Sequence, residues 1–165
     1  MVYHRRYATE LRRMAARDKT MRLAAHQGKG VWDPALDKKH TARLREIVEA
    51  IGWPTIPLVG KKASSAAWLI AQHADKDIAF QQHSLVLMRK APLHSIDLTE
   101  LAYLEDRVLV NEGKPQLYGT QFYVHDGTFQ PRPISDREHL DQRRKSVGLK
   151  VFEDYEAEMQ EFYGQ

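Results

Sequence analysis

The sequence predicts a mainly α-helical domain, a bundle of five to seven helices carrying one small β-hairpin. Three observations predict it. Apolar residues recur at helical spacing through most of the chain, glycine and proline fall at the ends of those stretches, and a single Asp-Gly pair sits between two short β-forming runs. The 165 residues suit one domain spanning the whole chain, residues 1–165, with an apolar content of 42% that sits close to globular averages.

The first helix is read from Tyr7 to about His26, with Leu11, Met14, Ala15, Met21 and Ala25 as its apolar positions and Gly28 and Gly30 ending it. Asp33-Pro34 opens the second, Asp33 as N-cap and Pro34 in the first turn. Leu36, Leu44, Ile47, Val48 and Ile51 form its stripe, and Gly52 closes it. The connector Trp53 to Gly60, with Pro54 and Pro57, reads as non-helical yet too apolar for a solvent loop, so it should pack on the core. Lys61 to Gln72 is a third helix of small residues suited to close backbone approach. A fourth runs from about Asp77 to Lys90, and a fifth from Leu98 to about Val110 with Gly113-Lys114-Pro115 beyond it.

The texture then changes. Leu117 to Val124 is rich in β-formers, Asp126-Gly127 is a hairpin signal, and Phe129 to Pro133 offers a short second strand. Ser135 with Glu138 three residues on reads as a capping box for a sixth helix. After Gly148, Phe152, Tyr155, Met159 and Phe162 stripe a last one.

Composition narrows the function. There is no cysteine, which removes disulfides, thiolate nucleophiles and cysteine-ligated zinc. The longest apolar run, Ala66 to Ala71, is far short of the roughly 20 residues of a membrane span. With no signal-like N-terminus, the expectation is a cytoplasmic protein without a membrane partner. The net charge of +3 is uneven: the first thirty residues hold eight Lys/Arg against Glu10 and Asp18. That basic helix lacks the interleaved aromatics of a single-strand groove, so nucleic acid is a disfavoured partner beside a small-molecule ligand.

Polar residues that a helical core does not need gather between Gln72 and Gln121. His73 lies seven, four and three residues after Ala66, Leu69 and Ile70, on the apolar side of its helix. It reads either as a helix C-terminal histidine or as a general acid/base tuned by a neighbouring carboxylate. A metal-ligand reading is less supported, since no His-x-x-x-His pair accompanies it. Asp106 and Arg107 form either a structural ion-pair network or, functionally, an orienting carboxylate for the histidine and a clamp for an anion. Gln116, Tyr118 and Gln121 read as substrate-orienting groups or as a satisfied hydrogen-bond network, and Gly119 marks a bulge or a close backbone approach.

These motifs resemble a large family of uncharacterised bacterial proteins classed as a domain of unknown function. The resemblance rests on Asp18 and Arg22, Gly52-Trp53-Pro54, Val59-Gly60, Ala66-Ala67-Trp68-Leu69, Gln72-His73-Ala74-Asp75 and Phe80-Gln81. It resumes at Ala102-Tyr103-Leu104, Asp106-Arg107-Val108, Gly113, Pro115-Gln116, Tyr118-Gly119-Thr120-Gln121, Arg143-Arg144 and Val147-Gly148-Leu149. It implies membership and brings no activity with it, but it favours a shared site of Gln72, His73, Asp106, Arg107, Gln116, Tyr118 and Gln121.

The expected function is a cofactor-independent acid/base enzyme on a small polar or anionic substrate, a hydrolase, lyase or cyclase. His73 and Asp106 would be catalytic, Gln72, Arg107, Gln116, Tyr118 and Gln121 substrate-binding, with no metal. The alternative is a ligand- or peptide-binding module without catalysis.

Overall fold

A computed structural model describes residues 2–163. Among them are eight α-helices and one two-stranded antiparallel hairpin, so the protein is mainly α. The elements group into two compact units, one running to Asp97 and the other beginning at Leu98.

The first unit holds α1 (Arg5–His26), α2 (Pro34–Ile51), α3 (Ile56–Val59), α4 (Lys61–Gln72) and α5 (Ile78–Lys90). Its centre is α4, which packs on α1, α2 and α3. Ala63, Ala67 and Ala71 on α4 are buried, small side chains that suit close packing against neighbouring helices. Leu11, Leu44, Ile47 and Phe80 fill the remaining space, each fully buried. At about 1.5–3 kcal/mol for each such side chain removed from water, this cluster is the main source of the unit's stability.

Caps set the helix ends. Asp33 accepts from the Ala35 amide at 2.9 Å, with Pro34 in the first turn, and Asp77 accepts from the Phe80 amide at 3.1 Å. The connector after α2 differs from its non-helical expectation, because residues 56–59 make the single turn α3. Pro57 falls in that first turn, where an N–H has no intrahelical partner and its loss costs nothing. The expectation that the connector packs on the core holds, with Trp53 and Val59 buried.

The second unit holds α6 (Leu98–Asn111), β1 (Phe122–His125), β2 (Thr128–Pro131), α7 (Leu140–Ser146) and α8 (Phe152–Tyr163). Phe122 pairs with Pro131 and His125 with Thr128. Asp126 and Gly127 both take positive φ, 51° and 75°, the twist that a two-residue hairpin turn requires. Phe122 stacks on Phe129 and Phe152, tying the hairpin to α8.

Two local expectations fail here. Residues 117–121 are not strand but a loop, because their amides turn inward to a buried carboxylate. The capping box at Ser135 does not form. The Ser135 amide donates to the Gln116 carbonyl, Asp136 takes a left-handed φ of 44°, and a 3-10 turn at Arg137–His139 leads into α7 instead.

Candidate active site

A cleft of about 510 Å³ opens in the first unit between α2 and the C-terminal end of α4, a volume suited to a small ligand. His73, which ends α4, lines it, together with Trp32, Asp37, Lys38, Arg45 and Lys76. Behind His73 lies Asp18 of α1, only 1% exposed. Its Oδ2 is 2.8 Å from His73 Nδ1, and its Oδ1 accepts from Arg22 Nε at 3.2 Å. Arg22 reaches on to both Asp37 oxygens at 3.0 and 3.1 Å, and Trp32 Nε1 donates to Asp37 at 3.0 Å. The series His73–Asp18–Arg22–Asp37–Trp32 thus links a buried carboxylate to the cleft rim.

Burial alone would push the Asp18 carboxyl up. The hydrogen bond and charge of His73, reinforced by Arg22, outweigh it and hold the group below the usual aspartate range. Asp18 is therefore an anion at neutral pH. An anionic carboxylate can only accept, so His73 directs an Nδ1 proton to it. Nε2 is the ring nitrogen left to other partners, on a side chain that is 21% exposed.

The carboxylate bonded to His73 is thus Asp18, where the sequence reading had expected Asp106. Asp106 lies in the second unit on α6, fully buried, and both of its oxygens are occupied. It accepts from the amides of Leu117 at 2.7 Å, Tyr118 at 3.0 Å and Thr120 at 2.9 Å, and from the Thr120 hydroxyl at 2.9 Å. Burial pushes its carboxyl up while those donors pull it down, with burial prevailing. Asp106 organises a loop. Gln116 closes the same loop: its amide nitrogen donates to the Gln121 and Arg132 carbonyls at 2.9 Å each, and its oxygen accepts from the Gln121 amide at 2.8 Å.

The remaining sequence-selected residues fall in one unit or the other. Arg107 Nη1 donates to Gln121 Oε1 at 2.9 Å, and the Tyr118 carbonyl accepts from Arg144 Nη1. Asp106, Arg107, Gln116, Tyr118 and Gln121 therefore belong to one network in the second unit. Gln72 is buried beside His73 in the first, where its carbonyl accepts from the Gln81 side chain at 3.2 Å. Of the bulge and the close approach that the sequence offered for Gly119, the structure shows the close approach. Its φ is +69°, and an added Cβ would lie 2.6 Å from the Phe152 ring.

The chain belongs to the family of unknown function DUF6624. The family model matches residues 29–165, which takes in α2 to α8, His73 and the whole Asp106 network. Asp18 and Arg22 lie on α1, ahead of the stretch that DUF6624 matches. Comparison with curated proteins and with solved structures returned no match.

Among the described residues no three His, Asp or Glu side chains gather as a metal-ligating group, and no helix is long and apolar enough to cross a membrane. Two residues that matter here escaped the sequence reading of function. Asp18 had a signal: it follows Leu11, Met14 and Ala15 by seven, four and three residues, so it sits on the buried stripe of α1. A carboxylate there needs a partner. Arg144 had none. It is 1% exposed, held by the Lys150 carbonyl at 2.7 Å and stacked against Tyr155 at 4.9 Å.

Proposed function

We propose that the protein is an acid/base enzyme acting on a small polar or anionic substrate, with His73 as the general base and Asp18 as the residue that positions it. The observation that carries this reading is the 2.8 Å contact between His73 Nδ1 and the buried Asp18 carboxylate at the wall of a ligand-sized cleft. With Nδ1–H directed to Asp18, Nε2 takes a proton from water or from a substrate hydroxyl. The imidazolium so formed is stabilised by the adjacent anion, and the same proton then passes to the leaving group. Lys38 and Lys76 line the cleft and favour a substrate bearing negative charge. Hydrolysis is the simplest chemistry of this kind.

The test pairs a spectroscopic and a kinetic readout. Long-range ¹⁵N–¹H spectra of the imidazoles should show neutral His73 protonated at Nδ1. Hydrolysis of small carboxylate esters and lactones, followed by pH-stat, should fall about 10²–10⁴-fold in His73→Gln with the fold intact. An Nε2-protonated ring, or full turnover in folded His73→Gln, would remove the base from the mechanism. The cleft would then belong to a ligand-binding module.

A further inference from the structure

A second cleft, of about 490 Å³, lies between α1 and α2. Arg13 and Arg17, one helical turn apart on α1, line it from one side, and Lys39 on α2 from the other. Arg43 also lines it, but its charge is spent: its guanidinium holds Glu10 at 2.6 and 2.9 Å and also bonds Glu46. Arg13, Arg17 and Lys39 have no carboxylate within ion-pair distance among the described residues. His40, 5% exposed, also lines the cleft and adds no charge. Burial lowers its pKa against the pull of Asp18, and Arg17 and Lys39 push the same way. The lining therefore carries Arg13, Arg17, Lys39 and Arg43 against Glu10 and Glu46, a surplus of two positive charges around one ligand-sized concavity. Like charges brought together repel, and a multiply charged anion relieves that repulsion while taking hydrogen bonds from two guanidinium forks.

We propose that this α1–α2 cleft binds the phosphate group of a small phosphorylated ligand, gripped by Arg13, Arg17 and Lys39. A phosphate suits it better than a monocarboxylate, because three donors from two helices match a dianion with three or more acceptor oxygens. The volume suits a metabolite-sized molecule. The site is separate in its lining from the His73 cleft, the two sharing only Ala42.

Titration calorimetry of the full chain with inorganic pyrophosphate, inorganic phosphate and acetate tests this. Pyrophosphate should bind one per chain, more tightly than phosphate, with acetate far weaker. Arg17→Gln and Lys39→Gln should each weaken pyrophosphate about tenfold, the loss of one charge-assisted contact. Arg12→Gln is the control. Arg12 is an exposed cation of the same helix whose side chain bonds the Ala8 carbonyl and Thr9, and it does not line the cleft. Its replacement should change affinity less than about twofold. Melting temperatures, which should stay near that of the parent, separate lost binding from lost folding. Absence of pyrophosphate binding overturns the proposal. So does an Arg12→Gln loss equal to that of Arg17→Gln, which would mark diffuse surface charge. Duplex DNA binding in the absence of any pyrophosphate binding would point to a nucleic-acid surface and refute the small-ligand site.

Discussion

Replacing Asp18 by Asn removes one oxygen's worth of charge from the most buried point of the candidate site. Asp18 accepts two hydrogen bonds, from His73 at 2.8 Å and from Arg22 at 3.2 Å. Asparagine keeps an acceptor for one of these donors and turns an NH₂ toward the other. A hydrogen bond to a charged group contributes about 1.5–3 kcal/mol. A fully stranded buried ion would cost about 3–5 kcal/mol. Arg22 is not stranded, since it retains Asp37 at 3.0 Å and its side chain is 31% exposed. The expected loss is therefore about 2–3 kcal/mol at neutral pH, read as a melting-temperature fall of about 5–10 °C for a chain of this size. The pH dependence has a definite sign. The folded carboxyl titrates below its ordinary value of 3.8, so its contribution is complete above that value and drains away as pH falls through the lower folded one. Urea melts of parent and variant should thus differ at about pH 7 and converge as the pH falls below the folded value. The variant should also populate the Nε2-protonated tautomer of His73, because the new NH₂ can donate to Nδ1. A variant within about 0.5 kcal/mol of the parent at neutral pH, with the tautomer unchanged, would refute the reasoning that Asp18 holds His73.

Asp106→Asn should destabilise by about 3 kcal/mol or more, since an NH₂ would face a ring of four N–H and O–H donors, and hydrogen exchange at the Leu117, Tyr118 and Thr120 amides should accelerate. Gly119→Ala should cost more than the roughly 1–2 kcal/mol of a left-handed residue, because its Cβ also meets the Phe152 ring at 2.6 Å; a melt showing less than about 1 kcal/mol would contradict it. His40 is held below its ordinary value of 6.5 by burial, so the folded state binds that proton less readily than the unfolded one. Stability should be complete above pH 6.5 and fall below it, and His40→Gln should flatten that part of the pH–stability curve relative to the parent.

Much of the fold was legible because its signals are local. Asp33-Pro34, Gly52 and Asp126-Gly127 act through the conformations of their own residues, and each marks the boundary or turn that its chemistry demands. The misreadings have non-local causes. Ser135 and Glu138 fit a capping box, but the Ser135 amide and carbonyl are taken by Gln116 and Arg143, both outside the four-residue span of the box. Residues 117–121 have β-forming side chains, yet three of their amides answer to Asp106. Local propensity of a few tenths of a kcal/mol yields to a buried carboxylate that must be satisfied.

The candidate site divides along the same line. From its own residues the sequence placed His73 at a helix end on the apolar side and marked Gly119 as a bulge or a point of close approach. Only the tertiary structure decided which carboxylate meets which donor. Asp18 and His73 are fifty-five residues apart, and what joins them is the packing of α1 on α4. Helical periodicity places a side chain on a face; it carries no information about the face opposite, and a buried ion is defined by its partner there.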